Sequence, residues 1–207
     1  DAWERLFRLG DAEDVAAAAL SEAYRSARRW DRLADFLARR ANSQSGTAQI
    51  VLLRELAEVY LSGLGQHDRA SEVLSRVLAT RPQDPIANLT MARVLAARQD
   101  WENLLQLATR SLDGCDAATQ LDVRRVIAES LRSAGELKRA AVVYNLILEA
   151  SPQEAEAWKG TEEYLVAYNK LEALVAFLAK RAEVATNDEE RSALLGRAAA
   201  ISAQQLD

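Results

Sequence analysis

Two side chains in this sequence are suited to nucleophilic chemistry or metal ligation, and each occurs once: the thiol of Cys115 and the imidazole of His67. A thiolate activated by an imidazole needs hydrogen-bond reach between the two groups. These stand 48 residues apart in what read as turns of different segments. One imidazole and one thiol cannot supply the three or four N/S ligands of a tetrahedral zinc site. The Glu-x-x-His spacing that builds di-iron helical bundles is missing, because Leu64 stands three before His67. The glycines form neither a G-x-G-x-x-G fingerprint nor a phosphate loop, and Gly63-x-Gly65 reads as a turn. The expectation is a chain that catalyses nothing and carries no cofactor and no metal.

What remains for function is surface, and composition bounds what that surface meets. Of 207 residues, 49% are apolar and 28% charged, within the range of an ordinary folded protein. The net charge of -5 argues against a nucleic-acid groove, which needs concentrated positive charge. Arg outnumbers Lys 22 to 4, read here as genomic GC pressure rather than a demand for guanidinium contacts. The longest apolar runs, 15–20 and 173–179, are too short to span a bilayer. One cysteine permits no internal disulfide and indicates no redox compartment. Localisation stays open, with the cytoplasm slightly favoured over a periplasmic or surface assembly.

Scarce Gly and Pro, with Ala, Leu, Arg and Glu dominant, favour helix almost everywhere. Periodicity then organises the helices. Gly65, Ala70, Leu74 and Pro82 have the same spacing as Gly135, Ala140, Tyr144 and Pro152. This resembles the tetratricopeptide repeat (TPR), whose pattern of about 34 residues sets Gly at the turn, Ala and a large apolar residue on the second helix, and Pro at the exit. Pro82 as an exit starts the next copy at Pro85. Pro152 starts one at Ala155, with Trp158 on the repeat's first aromatic position, and Leu195-Gly196 then fall on its Leu-Gly pair.

Repeats therefore start near residues 14, 50, 85, 121, 155 and 189, after a half repeat at 1–13 in which Trp3, Leu6 and Phe7 close a helix. The spacings are 36, 35, 36, 34 and 34, with the extra residues expected in turns at Gly46, Gly63 to Gly65 and Gly114. The resemblance implies an all-α, right-handed α-α superhelix, a degenerate bacterial-type TPR-like solenoid of about 11–12 helices. We expect residues 1–207 to form one repeat domain cut from a longer protein, unless residues 189–207 cap it with Gln204 and Gln205 outward. Trp30-Asp31-Arg32-Leu33 and Trp101-Glu102-Asn103-Leu104 replace the Gly-turn and Ala in repeats 1 and 3, and Leu171-Glu172-Ala173-Leu174 does so in repeat 5. All four Trp fall at packing positions, so an aromatic platform is disfavoured.

The family lines its inner groove with the second, fifth, ninth and twelfth positions of each first helix. Carried over, these include Arg54, Arg93, Arg125, Glu129, Arg132 and Lys159, the expected partner-binding set, for a partner segment that is acidic or of mixed charge. The bland alternative pairs Arg54 with Glu58, Arg125 with Glu129 and Lys159 with Glu163 along one helix. Arg93 has no acid four residues away, and Arg132 only Glu136 past the turn, so both are expected to be unneutralised. The carboxylate clamp of chaperone cofactors is absent, since Glu replaces its ninth-position Asn. The resemblance thus implies a protein-interaction scaffold or adaptor that docks a protein or peptide, with neither nucleic acid nor membrane insertion, and possibly part of a larger complex. The alternatives are a substrate-recruiting or regulatory arm of a larger enzyme and an RNA-binding helical repeat.

Overall fold

A computed structural model describes residues 13–205; the reading of Trp3, Leu6 and Phe7 and of the Gln204 and Gln205 side chains lies outside what it describes. The described residues form eleven α-helices and two π-helical turns, with no strand. They divide into two compact units, the first ending at Gln99 and the second beginning at Asp100.

In the first unit, α1 (Glu13–Ser26) and α2 (Trp30–Ser43) make repeat 1. α3 (Gly46–Glu58), running on through the π-turn Val59–Gly63, pairs with α4 (His67–Thr80), and α5 (Pro85–Ala97) opens repeat 3. In the second unit, α6 (Trp101–Gln106) runs on through the π-turn Leu107–Ser111 and completes repeat 3. α7 (Ala117–Ser133) with α8 (Leu137–Ala150) and α9 (Ala155–Ala167) with α10 (Leu171–Val184) are repeats 4 and 5, and α11 (Asp188–Gln205) is the last.

Local signals start and stop these helices. Pro85 occupies the first turn of α5, where its missing N–H costs nothing, and the Asp84 carboxylate accepts from Ala87 N at 2.9 Å. Asp116 caps α7 likewise, accepting from Thr119 N at 2.9 Å and Thr119 Oγ1 at 2.7 Å, which holds its carboxyl below the usual range. The turn inside each repeat passes through one left-handed residue two positions before the second helix. It is Gly65 and Gly135 in repeats 2 and 4, but Arg28, Gln99 and Asn169 in repeats 1, 3 and 5. The closing bonds match at Gly135 and Asn169. Gly135 N donates to Arg132 O and Glu136 N to Leu131 O; Asn169 N donates to Val166 O and Lys170 N to Leu165 O.

Repeats 2 and 3 exceed 34 residues, and their surplus enters helices as well as turns. Each contains a π-turn, whose wider ring absorbs an extra residue without breaking the helix. Gly63 ends the first of these: a Cβ there would sit 2.8 Å from Trp30, so the missing side chain lets the indole close on α3. Gly46, also expected in a turn, instead opens α3 at positive φ.

The core is built from the residues the repeat pattern singles out. Ala57, Ala70, Ala92, Ala128 and Ala140 are all buried, as are Leu33, Leu104 and Leu174 where Leu replaces Ala. Trp158 is buried, and Trp30 and Trp101 are half-buried. Two exits are pinned by the fourth residue of the next repeat. Asn88 Nδ2 donates to Pro82 O at 2.9 Å, and Trp158 Nε1 to Pro152 O at 2.8 Å.

Candidate partner-binding surface

The charged positions assigned to the inner face are exposed or half-buried, and the structure shows what each meets. Arg93 on α5 donates to both carboxylate oxygens of Glu58 on α3, at 2.9 and 3.3 Å. The expectation that Arg93 is unneutralised is therefore corrected: its own helix offers no acid, but the preceding repeat does. The same expectation for Arg132 is corrected by an acid three residues before it on its own helix. Its Nε and Nη2 donate to Glu129 at 3.0 and 2.8 Å, and Nη1 lies 3.6 Å from Glu163 on α9.

None of the pairs Arg54/Glu58, Arg125/Glu129 and Lys159/Glu163 is the contact formed. Arg54 Nη1 lies 3.3 Å from both oxygens of Asp84, the α5 cap. Arg125 bonds Glu154, the residue before α9, and Asp122 at 3.0 Å. Lys159 stands 3.9 Å from Glu156. The physical reason lies in order along the helix. Each expected pair sets the base before the acid, the weaker orientation against the helix dipole, whereas the pairs formed within one helix set the acid first.

Further pairs link different helices. Arg25 reaches Glu55 in the next repeat, and Glu162 on α9 receives Arg197 from α11 of the next repeat and Arg181 from α10 of its own. Asp84, Glu154 and Glu162 were missed as partners of these arginines; their signal was a carboxylate 29 to 35 residues from an arginine of a first helix. Most of these pairs are well exposed and each stabilises by roughly 0–1 kcal/mol. Arg54–Asp84 is the more enclosed, with Asp84 buried.

In the second unit this charged row borders a pocket of about 340 Å³ among α7, α8 and α9. Tyr144, Ile147 and Ala157 give it apolar walls. Arg125, Glu129, Glu154 and Glu156 supply its charged rim. Tyr144 is held hard against α9, because residue 160 is Gly and any Cβ there would overlap the phenol ring. Burial, then the nearby Glu129, pushes the Tyr144 hydroxyl up, so it stays neutral. The Arg132 bond holds the Glu129 carboxyl below its usual range, and Glu154 and Glu129 raise Arg125 and Arg132 respectively. Smaller pockets of about 200 and 210 Å³ lie beside Trp158 and Arg181, and beside Tyr60 and Arg69.

His67 opens α4 in the first unit, while Cys115 is buried in the second, its thiol pushed up by burial and then by Asp116. Among the described residues no three His, Cys, Asp or Glu side chains are grouped to hold a metal ion, and no helix is long and apolar enough to cross a membrane.

Paired helices, recurring crossing alanines and exit prolines define an all-α, TPR-like helical-repeat fold. Solved structures share it. MamA superposes with a TM-score of 0.54 at 12% identity, covering 90% of this chain and 96% of that one. A double mutant of MamA RS-1 gives 0.55 at 14%, covering 91% and 94%. YrrB, described as a TPR protein with an unusual peptide-binding site, gives 0.54 at 13%, covering 92% and 96%. At these identities the likeness is one of fold. No family model and no curated protein matches the sequence.

Proposed function

We propose that the chain is a protein-interaction scaffold or adaptor that docks a peptide or helix of a partner and catalyses no reaction. One observation carries the reading: in the second unit, charged residues of α7 and α9 border an apolar-walled pocket. A pocket with apolar walls and a few polar rim groups suits a side chain of an incoming segment. The likeness to YrrB, a TPR protein with a peptide-binding site, supports the same reading. The residues proposed to meet partners are Arg54 and Arg93 in the first unit, and Arg125, Glu129, Arg132 and Lys159 in the second. We read the repeats as one interaction domain that takes its place in a larger assembly.

The test is an Arg93→Ala/Arg125→Ala/Arg132→Ala variant beside an Arg32→Ala/Arg39→Ala/Arg76→Ala control on the second helices, both checked for unchanged melting. Partners captured by the parent chain are identified and their binding re-measured with purified components. The inner-face variant should change binding by at least about tenfold in either direction, equivalent to about 1.4 kcal/mol, and the control should not. If only the control loses binding, the inner face is not the working surface.

A further inference from the structure

The pocket among α7, α8 and α9 holds more acid than base. With their ion-pair partners included, its rim residues comprise the cations Arg125, Arg132 and Lys159 facing the carboxylates Asp122, Glu129, Glu154, Glu156 and Glu163. The imbalance extends beyond the pocket: residues 100–205 carry 12 Lys+Arg against 17 Asp+Glu, while residues 13–99 carry 12 against 10.

We propose that this pocket receives a bulky apolar side chain of a partner segment whose flanking residues are Arg or Lys. The proposal rests on the interaction reading above and gives the partner its chemistry. Tyr144, Ile147 and Ala157 offer an apolar seat, and close packing against Gly160 fixes the ring that walls it. An acidic segment meets arginines already engaged: it must expel Glu154 or Asp122 from Arg125 and Glu129 from Arg132, exchanging one ion pair for another. A basic segment meets the more exposed carboxylates: Glu156 is 75% exposed with Lys159 at 3.9 Å, and Asp122, though bonded to Arg125 at 3.0 Å, is 66% exposed. Complementary rim charge of this kind steers encounter and selects against the like-charged partner.

The probes are short end-capped peptides: a central Phe flanked by two Arg on each side, the same peptide with Ala for Phe, and the same with Glu for Arg. Fluorescence anisotropy against the whole chain reads their affinities. The Arg-Phe peptide should bind about tenfold tighter than either relative. An Asp122→Asn/Glu156→Gln variant with unchanged melting should weaken it about fivefold, and added salt should do the same. Equal binding of the Ala peptide removes the apolar seat, and indifference to the Asp122/Glu156 variant removes the basic flank. Absence of saturable binding up to about 1 mM overturns the proposal altogether. Preference for the Glu peptide also overturns it, yet leaves the interaction reading standing, since that reading fails only through the arginine variants.

Discussion

Among single residues, the two helical glycines of the second unit separate a packing need from mere propensity. Gly160 is buried against the Tyr144 ring, whereas Gly196 on α11 is exposed with nothing within 4 Å of an added Cβ. Gly196→Ala should stabilise by about 0.5–1 kcal/mol, the usual helix preference for Ala. Gly160→Ala should instead destabilise by about 1–3 kcal/mol through overpacking. Urea midpoints of the two variants should therefore move in opposite directions, and a common direction contradicts the packing described. Glu129 gives a pH signature. Its folded carboxyl lies below the usual range because Arg132 bonds it, so its contribution is complete above an unfolded value of about 4.3 and disappears as pH falls through the lower folded one. In urea unfolding from about pH 6 to pH 3, Glu129→Gln should lose less stability than the parent on the acid side. An identical acid-side slope would mean that Glu129 has no such depressed value in the folded chain.

At the level of helices and turns, the left-handed residue before each second helix sets a clear expectation. Gly carries this conformation freely in repeats 2 and 4, while Gln99 holds it at φ 55° with a Cβ attached. A non-glycine residue there costs about 1–2 kcal/mol, part of which Gly returns as unfolded-state entropy. Gln99→Gly should thus raise the thermal midpoint, by the equivalent of about 0.5–1 kcal/mol, and Gly135→Gln should lower it. No rise for Gln99→Gly would mean the turn tolerates its side chain without strain. These turns also show where sequence reading reaches and stops. The helices, the buried crossing alanines and the exit prolines were legible because each repeats at fixed spacing and answers to local sterics. The turns of repeats 1, 3 and 5 were legible as departures from Gly, but not as the same left-handed geometry, since Arg and Gln do not announce positive φ and Asn169, which favours it, stands without the Gly of the repeat pattern. The ion pairs were misassigned because i,i+4 spacing is visible along a chain, while the acid brought alongside by the next repeat is visible only after folding. Asp84 and Glu154 accordingly went unassigned as partners of Arg54 and Arg125.

For the molecule as a whole, each unit has its own buried core, around Leu33, Leu37 and Leu74 in the first and Ile127, Leu131 and Ile147 in the second. A repeat fold joins neighbours by local interfaces, so damage should stay near its source. Ala70→Leu and Ala140→Leu each overpack a buried crossing, at a cost of about 1–3 kcal/mol. Amide hydrogen exchange should accelerate mainly in α2 to α5 for the first and in α7 to α9 for the second. Uniform acceleration across all helices in both variants would make the chain one cooperative unit. The bridges between successive repeats also bear on how such a chain can change length. Arg54 and Arg125 occupy the same place in their repeats, and Asp84 and Glu154 each immediately precede the helix that follows. A gene duplication of repeat 2 or repeat 4 therefore copies a cation and, at the copy's far end, the anion that suits it. The newcomer carries this bridge complete, so that contact needs no second, compensating mutation.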